Sequence, residues 1–427
     1  MKTDLKVHIH WLFICIASIL FSTNSIAQAS GNSTVINLSD AITRTLTENP
    51  GLRAVGYQMR VQDARILQAG IKPRPELNIE VENVLGSGPN DLFHAMQGTV
   101  SIAWILERGV REKQVAAVRA GATVVETEIN IQRLDAAAET ARRYLLCLVL
   151  QTRMVNAVAG IQLGREAVEA IERRVRVAST PGAELARAQA DLKRLELVQE
   201  DIEHELLSAY YRLAAQWGET EPNLSRVIGN LFDSPTIESF ATLEAKLAQN
   251  PDIERYLSLQ RLNDAQLRLE QARNRRSWRV SGGFRWLEQT SDHGFVADLT
   301  IPLGRQDSNR GRVAEARARI AQTEAEKQAV QVRLKTEFFV IYQELQHSIQ
   351  LADAFTTEIL PLYELALEET RIAYESGRYS YFEWNATQRN LLSARYDLID
   401  AAMGIYQNII EIERLTGVSV EVPQLLQ

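Results

Sequence analysis

The chain has little of what marks several common protein classes. Only two of its 427 residues are cysteine, so a disulfide framework is excluded. Its 22 glycines and 11 prolines are too few for a collagen-like or low-complexity chain. Acidic residues (54) outnumber basic ones (47), which argues against a nucleic-acid binder, whose footprint is a basic patch. It also lacks the several runs of ~20 apolar residues that a bundle of membrane-spanning helices needs.

The N-terminal segment has the pattern of a secretory signal. Two lysines precede an apolar run over residues 11–21, and an Ala-x-Ala cleavage pattern ends at Ala29. The run is about half as long as a spanning helix, so we expect a cleaved signal peptide over 1–29 rather than an anchor. Cys15 lies inside the run without small residues before it, so no lipid anchor is expected. The mature chain keeps Cys147, which has no partner within the chain.

Short matches recur in order about 200 residues apart. Leu46-Thr47-Glu48-Asn49-Pro50 returns as Leu247-Ala248-Gln249-Asn250-Pro251, and three further matches keep nearly the same offset. The pattern indicates two tandem copies of one unit. We therefore expect a first repeat over 30–218, an equatorial segment over 219–240 and a second repeat over 241–427.

Each copy is predicted to contain two strands. Four segments alternate apolar and polar residues with the period of a strand, over 77–82, 99–106, 278–286 and 295–301. A transmembrane β-barrel uses segments of this kind, and so does a soluble sheet with one wet face. Trp104, Trp278 and Trp286 stand on the apolar faces, and aromatic residues of this kind favour membrane interfaces.

Very long helices follow the strands. Residues 108–178 contain no proline or other obvious breaker, which predicts a rod of roughly 105 Å. The second copy repeats this over 312–376, interrupted only by Pro361. Apolar residues step by three and four over 131–148 and 391–405, so we expect coiled-coil seams rich in alanine.

Four strands cannot close a membrane barrel, since single-chain barrels have at least eight. An open sheet edge in lipid would leave backbone N–H and C=O groups unpaired, so spanning strands imply that several chains share one barrel. Two chains supply eight strands, and three supply twelve with room for a lumen. The polar strand faces would then line that lumen, with Glu80, Glu82, Arg279, Arg285 and Asp298.

Several motifs carry a family resemblance. They include Leu38-Ser39-Asp40-Ala41-Ile42, Asn309-Arg310-Gly311, Gly377-Arg378-Tyr379-Ser380 and Glu413-Arg414-Leu415-Thr416-Gly417. With them the chain resembles the TolC-like outer-membrane efflux proteins over nearly its whole mature length, and most resembles their heavy-metal (cobalt-zinc-cadmium, CzcC-like) branch. The resemblance implies a mainly α fold with a small β part. It implies a homotrimer with a twelve-stranded outer-membrane barrel, four strands per chain, continued by a long periplasmic α-helical coiled-coil barrel.

The resemblance also implies partners and site residues. The partners are a periplasmic membrane-fusion adaptor, an inner-membrane pump of the RND type and outer-membrane lipid. Two hairpin tips would dock the adaptor through Thr180, Pro181, Gly182, Gly377, Arg378 and Ser380. Glu184 and Glu383 correspond at an offset of 199 and would ring the periplasmic aperture, where they attract cations. Turn residues are needed at any hairpin tip, and an ordinary surface glutamate is the alternative interpretation of both acids.

No pattern in the sequence indicates catalysis. The four histidines of the mature chain are widely separated, and no nucleotide-binding glycine motif is present. We expect no enzyme, no cofactor, no bound metal and no nucleic-acid partner. The leading hypothesis is a passive outer-membrane channel of a tripartite efflux system that carries divalent heavy-metal cations. Drug or secreted-peptide efflux is the alternative within the family, and a soluble periplasmic coiled-coil scaffold is a second one.

Overall fold

A computed structural model describes residues 34–88, 93–107, 109–233, 237–274, 277–302 and 309–417. The expected signal peptide and its cleavage point lie outside these residues. Within them the elements are, in chain order, β1 (Thr34–Ile36), α1 (Leu38–Glu48), α2 (Pro50–Gly70), β2 (Glu76–Glu82), β3 (Gln97–Leu106), α3 (Val110–Arg176), α4 (Gly182–Ala214), β4 (Leu224–Val227), α5 (Phe240–Lys246), α6 (Pro251–Arg273), β5 (Trp278–Leu287), β6 (Asp292–Thr300), α7 (Arg310–Ala354), α8 (Leu360–Glu375) and α9 (Tyr381–Thr416).

The long helices predicted from the sequence are confirmed. α3 has 67 residues and is therefore about 100 Å long. α7 and α8 are joined through a π-helical stretch over Phe355–Ile359, so helical structure continues from one into the other. Pro361 stands in the first turn of α8, where its missing N–H removes little from the helix. The wider π turn before it accommodates the proline without a break.

The coiled-coil seams are also confirmed. Ile131, Ala138 and Leu145 are buried along α3, which packs against α2, α4, α6 and α9. One stretch of α3 is long and apolar enough to cross a membrane by length and composition alone. More than half of it (56%) is buried inside the fold, so its apolar character is explained by packing against neighbouring helices.

The strands form two sheets. β1 pairs in parallel with β4 near the middle of the molecule. The other four form one antiparallel sheet in the order β2-β3-β5-β6, which confirms the predicted strand segments. β3 and β5 bring the two halves of the chain together, with Thr99 opposite Arg285.

The two Asn-Pro turns hold equivalent helix ends together. Asn49 caps α2 and donates from Nδ2 to the carbonyl of Gln216, at 2.7 Å. Asn250 caps α6 and donates from Nδ2 to the carbonyl of Leu415, at 2.6 Å. Each acceptor lies at the end of a helix returning from a hairpin tip, so each turn joins the start of one helix to the end of another.

Candidate functional site

The four-stranded sheet has one apolar and one polar face, set by its register. Residues paired across strands share a face, so the register places Ile79, Val100, Phe284 and Phe295 in one row. This row is open to the surroundings, since Ile79 is 65% exposed and Phe295 is 70% exposed. A contiguous apolar sheet face of this size marks a contact with membrane or protein.

The apolar face is nearly as tall as the apolar band of a membrane barrel. It runs from the row of Leu106 and Trp278 to the row of Gly98 and Trp286, which are eight residue steps apart along β3 and β5. At ~3.3 Å per residue this is roughly 26 Å along the strands, and a tilt of ~40° makes the band roughly 20 Å tall, of the same order as the ~25 Å apolar band of outer-membrane barrels. Tryptophan stands at both ends of the band, where the aromatic girdles of such barrels lie.

The polar face holds the residues predicted to line a lumen. Glu80, Glu82, Arg279, Arg285 and Asp298 all lie on it by register. The guanidinium of Arg279 lies 3.1 Å from a carboxylate oxygen of Glu76, and that of Arg285 lies 3.4 Å from Glu82. Whether this face lines a lumen stays a prediction for a single chain, because β2 and β6 are the open edges of its sheet.

At the first hairpin tip, α3 ends at Arg176 and α4 begins at Gly182. Pro181 is the N-terminal cap residue of α4, so Gly182 belongs to the helix and not to the turn. The left-handed position of the turn is held by Ala178, with φ +58°. A non-glycine residue in this region is strained.

The second tip has the glycine that the first lacks. Gly377 has φ +76° after the end of α8, and Ser380 caps α9. The Glu383 carboxylate accepts hydrogen bonds from the Ser380 hydroxyl and, at 3.0 Å, from its backbone N–H, which completes a capping box. These bonds hold the pKa of Glu383 below its ordinary value. The structure thus gives this glutamate a capping role that the sequence analysis did not assign.

The two tips are joined by Arg174, which the sequence analysis did not single out. Its Nη1 donates to the carbonyls of Tyr374 (2.6 Å) and Glu375 (3.0 Å), at the end of the opposite hairpin's helix. Its guanidinium lies 4.9 Å from the centre of the Tyr374 ring, which stacks on Trp384. The Tyr374 hydroxyl in turn reaches Glu184, at 3.5 Å. The sequence does show that Arg174 lies near the C-terminus of a helix, where a basic residue is favourable. It does not show that this arginine contacts the other hairpin.

No metal centre is formed by the described part of the chain, where no group of three or more His, Cys, Asp or Glu side chains is placed to hold an ion. Asp292 and His293 are neighbours in β6 and face opposite sides of the sheet by register. Cys147 is fully buried, and burial raises the pKa of its thiol to about 12. It is therefore unreactive.

Comparison with known sequences identifies relatives. Residues 243–418 match the family described as outer membrane efflux protein. Over 383 residues the chain is 23% identical to the cobalt-zinc-cadmium resistance protein CzcC of Cupriavidus metallidurans, with 90% of each chain covered. Over 292 residues it is 25% identical to the nickel and cobalt resistance protein CnrC of the same species, with 68% of each covered.

Comparison with solved structures identifies the fold. CusC matches with a TM-score of 0.74 at 16% identity, over 90% of this chain and 92% of that one. The outer membrane protein VceC of Vibrio cholerae matches with a TM-score of 0.71 at 16% identity, over 90% and 97%. The localisation expected from the sequence, an outer-membrane sheet with a periplasmic helical extension, agrees with these relatives. Residues 243–418 therefore match the outer membrane efflux protein family, and the chain has the fold of CusC and VceC.

Proposed function

We propose that three copies of the chain form an outer-membrane duct that passively conducts divalent heavy-metal cations out of the periplasm. The observation that carries the proposal is the open four-stranded sheet, which is apolar and exposed on one face and polar on the other. Its edges have no partner within the described chain, and lipid would leave them unsatisfied. Pairing β6 of one copy with β2 of the next closes twelve strands around a lumen.

The proposed cargo rests on two supports. The relatives CzcC and CnrC are, by name, resistance proteins for cobalt, zinc, cadmium and nickel. The charges on the polar face are compatible with cations, because Arg279 and Arg285 are neutralised by glutamates of β2. Glu80 and Asp298 have no ionic partner among the described residues, so each copy would add two uncompensated carboxylates to the lumen.

The hairpin tips are the proposed docking region for a periplasmic adaptor linked to an inner-membrane pump. Arg378 and Ser380 lie on the second tip, and Thr180 and Pro181 lie on the first. Arg174 holds the two tips side by side, so the adaptor would meet them as one surface. Glu184 and Glu383 lie just beyond the tips, and we propose them for the periplasmic aperture. The capping carboxylate of Glu383 stays solvent-exposed and charged, as that role requires.

A deletion strain tests the cargo. Loss of the gene should lower tolerance to cobalt, zinc or cadmium, and the wild-type chain should restore it. The double variant Glu80→Gln, Asp298→Asn should reach the membrane and restore less tolerance than the wild type. The control Arg333→Gln, at an exposed position in the middle of α7, should restore it fully. Unchanged metal tolerance with increased sensitivity to drugs would replace the metal assignment with drug efflux.

Light scattering on detergent-extracted protein tests the assembly. A mass near three mature chains, recovered from the membrane fraction, is the expected result. A monomer in the soluble periplasmic fraction would refute the duct and favour a coiled-coil scaffold.

A further inference from the structure

The two ends of the four-stranded sheet differ sharply in charge. The stretches that join its strands to helices, extended into the first turns of α3 and α7, are 71–75, 107–113, 274–277 and 301–312, and their sequences hold ten Lys or Arg against three Asp or Glu. The stretches that join strands to each other at the opposite end, 83–96 and 288–291, hold no Lys or Arg. A chain with a net charge of −7 therefore concentrates positive charge at the helix end of its sheet.

Most of this charge is not used inside the fold. Six basic residues of these stretches lie in the described part of the chain: Lys72, Arg74, Arg111, Lys113, Arg310 and Arg312. We call these six residues the basic girdle. None of them forms an ion pair with another described residue, although Arg273 and Arg279 close by are paired with Glu270 and Glu76. All six are exposed or half-buried, so their charges are available to a ligand.

Four of the girdle residues stand where the helix itself disfavours them. Arg111 and Lys113 are in the first turn of α3, and Arg310 and Arg312 are in the first turn of α7. The N-terminal end of a helix carries partial positive charge, so a cation there is locally unfavourable. Because these four cations oppose the helix dipoles, we attribute their positions to a binding function and not to stabilisation of the fold. Residues two apart on a helix also point in nearly opposite directions, so each pair presents one side chain away from the lumen.

The position of the apolar band indicates which part of the membrane these side chains contact. At the end of the band nearest the helices, Trp278 lies in the last row and Trp104 in the row before it. An aromatic girdle at such a position marks the boundary between hydrocarbon and headgroups. The basic girdle follows directly along the chain. Since the helices are periplasmic, this end lies at the leaflet facing the periplasm. We propose that the basic girdle binds the phosphate groups of anionic phospholipid headgroups in that leaflet and so fixes the depth and orientation of the barrel. The inference rests on the outer-membrane placement and not on the cargo.

Quenching of tryptophan fluorescence by brominated lipids tests the proposal on the full-length protein in mixed vesicles. The readout is the binding of brominated phosphatidylglycerol relative to brominated phosphatidylcholine. With ~1 kcal/mol per basic residue near an anionic surface, a headgroup held by one or two side chains should be preferred about five- to thirty-fold at low salt. The preference should fall as salt rises.

The variant Arg111→Gln, Lys113→Gln, Arg310→Gln, Arg312→Gln should reduce the preference to about twofold or less. A control that removes the same charge from exposed positions far from the sheet, Arg165→Gln, Arg187→Gln, Arg194→Gln, Arg333→Gln, should keep it.

Equal preferences in the two variants would overturn the proposal. Loss of the preference in 10 mM inorganic phosphate at constant ionic strength would also overturn it, because the girdle would then be a small-anion site. A change in ion selectivity with an unchanged lipid preference would place the girdle in the lumen. Metal tolerance of the same variants is measured separately, so the lipid preference can be interpreted even if the cargo assignment is wrong.

Discussion

Asn250 is predicted to be worth more to stability than its counterpart Asn49, although both cap a helix that begins with proline. Asn250 is completely buried. Its Oδ1 accepts from the backbone N–H of Asp252, at 2.8 Å, while its Nδ2 donates to the buried carbonyl of Leu415. Replacing it with alanine removes a helix cap, which costs about 1 kcal/mol. It also leaves that carbonyl without a partner away from water, which costs about 1–3 kcal/mol more.

Asn49 provides the matched comparison. It makes the same two kinds of contact, to Leu52 and to Gln216, but it is only half-buried. In Asn49→Ala, water can reach the freed carbonyl, so only the cap term of about 1 kcal/mol is expected in full. The variant Asn250→Ser separates the two terms, because serine still caps the helix but is too short to reach Leu415.

Hydrogen exchange followed by mass spectrometry measures the difference, because it reports local opening without requiring reversible unfolding of a membrane protein. For Asn250→Ala, a loss of about 2–4 kcal/mol should speed exchange in the first turn of α6 roughly 30- to 1,000-fold. For Asn49→Ala, the first turn of α2 should exchange about fivefold faster. Equal acceleration in the two variants would refute the argument from burial. Unchanged exchange in both would show that neither amide joins the helix ends in solution.

Three other predictions concern the sheet and the tips. Ile102→Lys places a charge in the middle of the apolar band at a cost of about 2–4 kcal/mol, so recovery from the membrane fraction should fall. Ser101→Lys, on the opposite face, should be recovered like the wild type. Ala178→Gly relieves the left-handed backbone at the first tip and should slow hydrogen exchange there two- to five-fold, since about 0.5–1 kcal/mol is regained. Because hydrogen bonds lower the pKa of Glu383, its contribution to stability is present above the ordinary carboxyl pKa and is lost as pH falls through the lowered value. Ser380→Ala should raise that pKa, as followed by carboxyl NMR, and an unchanged value would refute the capping assignment.

Periodicity alone was sufficient to predict the sheet and the long helices. The strand segments, such as those that include Ile79 and Val100, alternate with period two, and this alternation determines which side chains share a face of the sheet. The strand order and the pairing register came only from the structure. The alanine-rich seams were visible as steps of three and four. These features depend on local sequence and on a repeated pattern, so they need no knowledge of which elements meet in space.

The tips could be predicted only in part. The capping box of α9 was readable, since Ser380 precedes Glu383 by three residues, yet the glutamate was interpreted only as a charge at an aperture. The left-handed turn at Ala178 carries no local signal, because alanine does not favour that conformation. Arg174 is 200 residues away from the tyrosine carbonyl it binds, and no pattern along one chain specifies that contact.

The separation of contacts along the chain implies an order of assembly. α3 packs against α4 across a short turn, so this hairpin closes with little loss of chain entropy. The sheet instead needs Thr99 to reach Arg285, 186 residues later, and its outer edges have no partner strand among the described residues of the chain. Contacts between distant residues form slowly, and contacts between chains also depend on concentration. The helical hairpins therefore form first and bring β3 and β5 together. We expect the apolar strand face, which would aggregate in water, to be completed last, when the three chains of the proposed duct meet at the membrane.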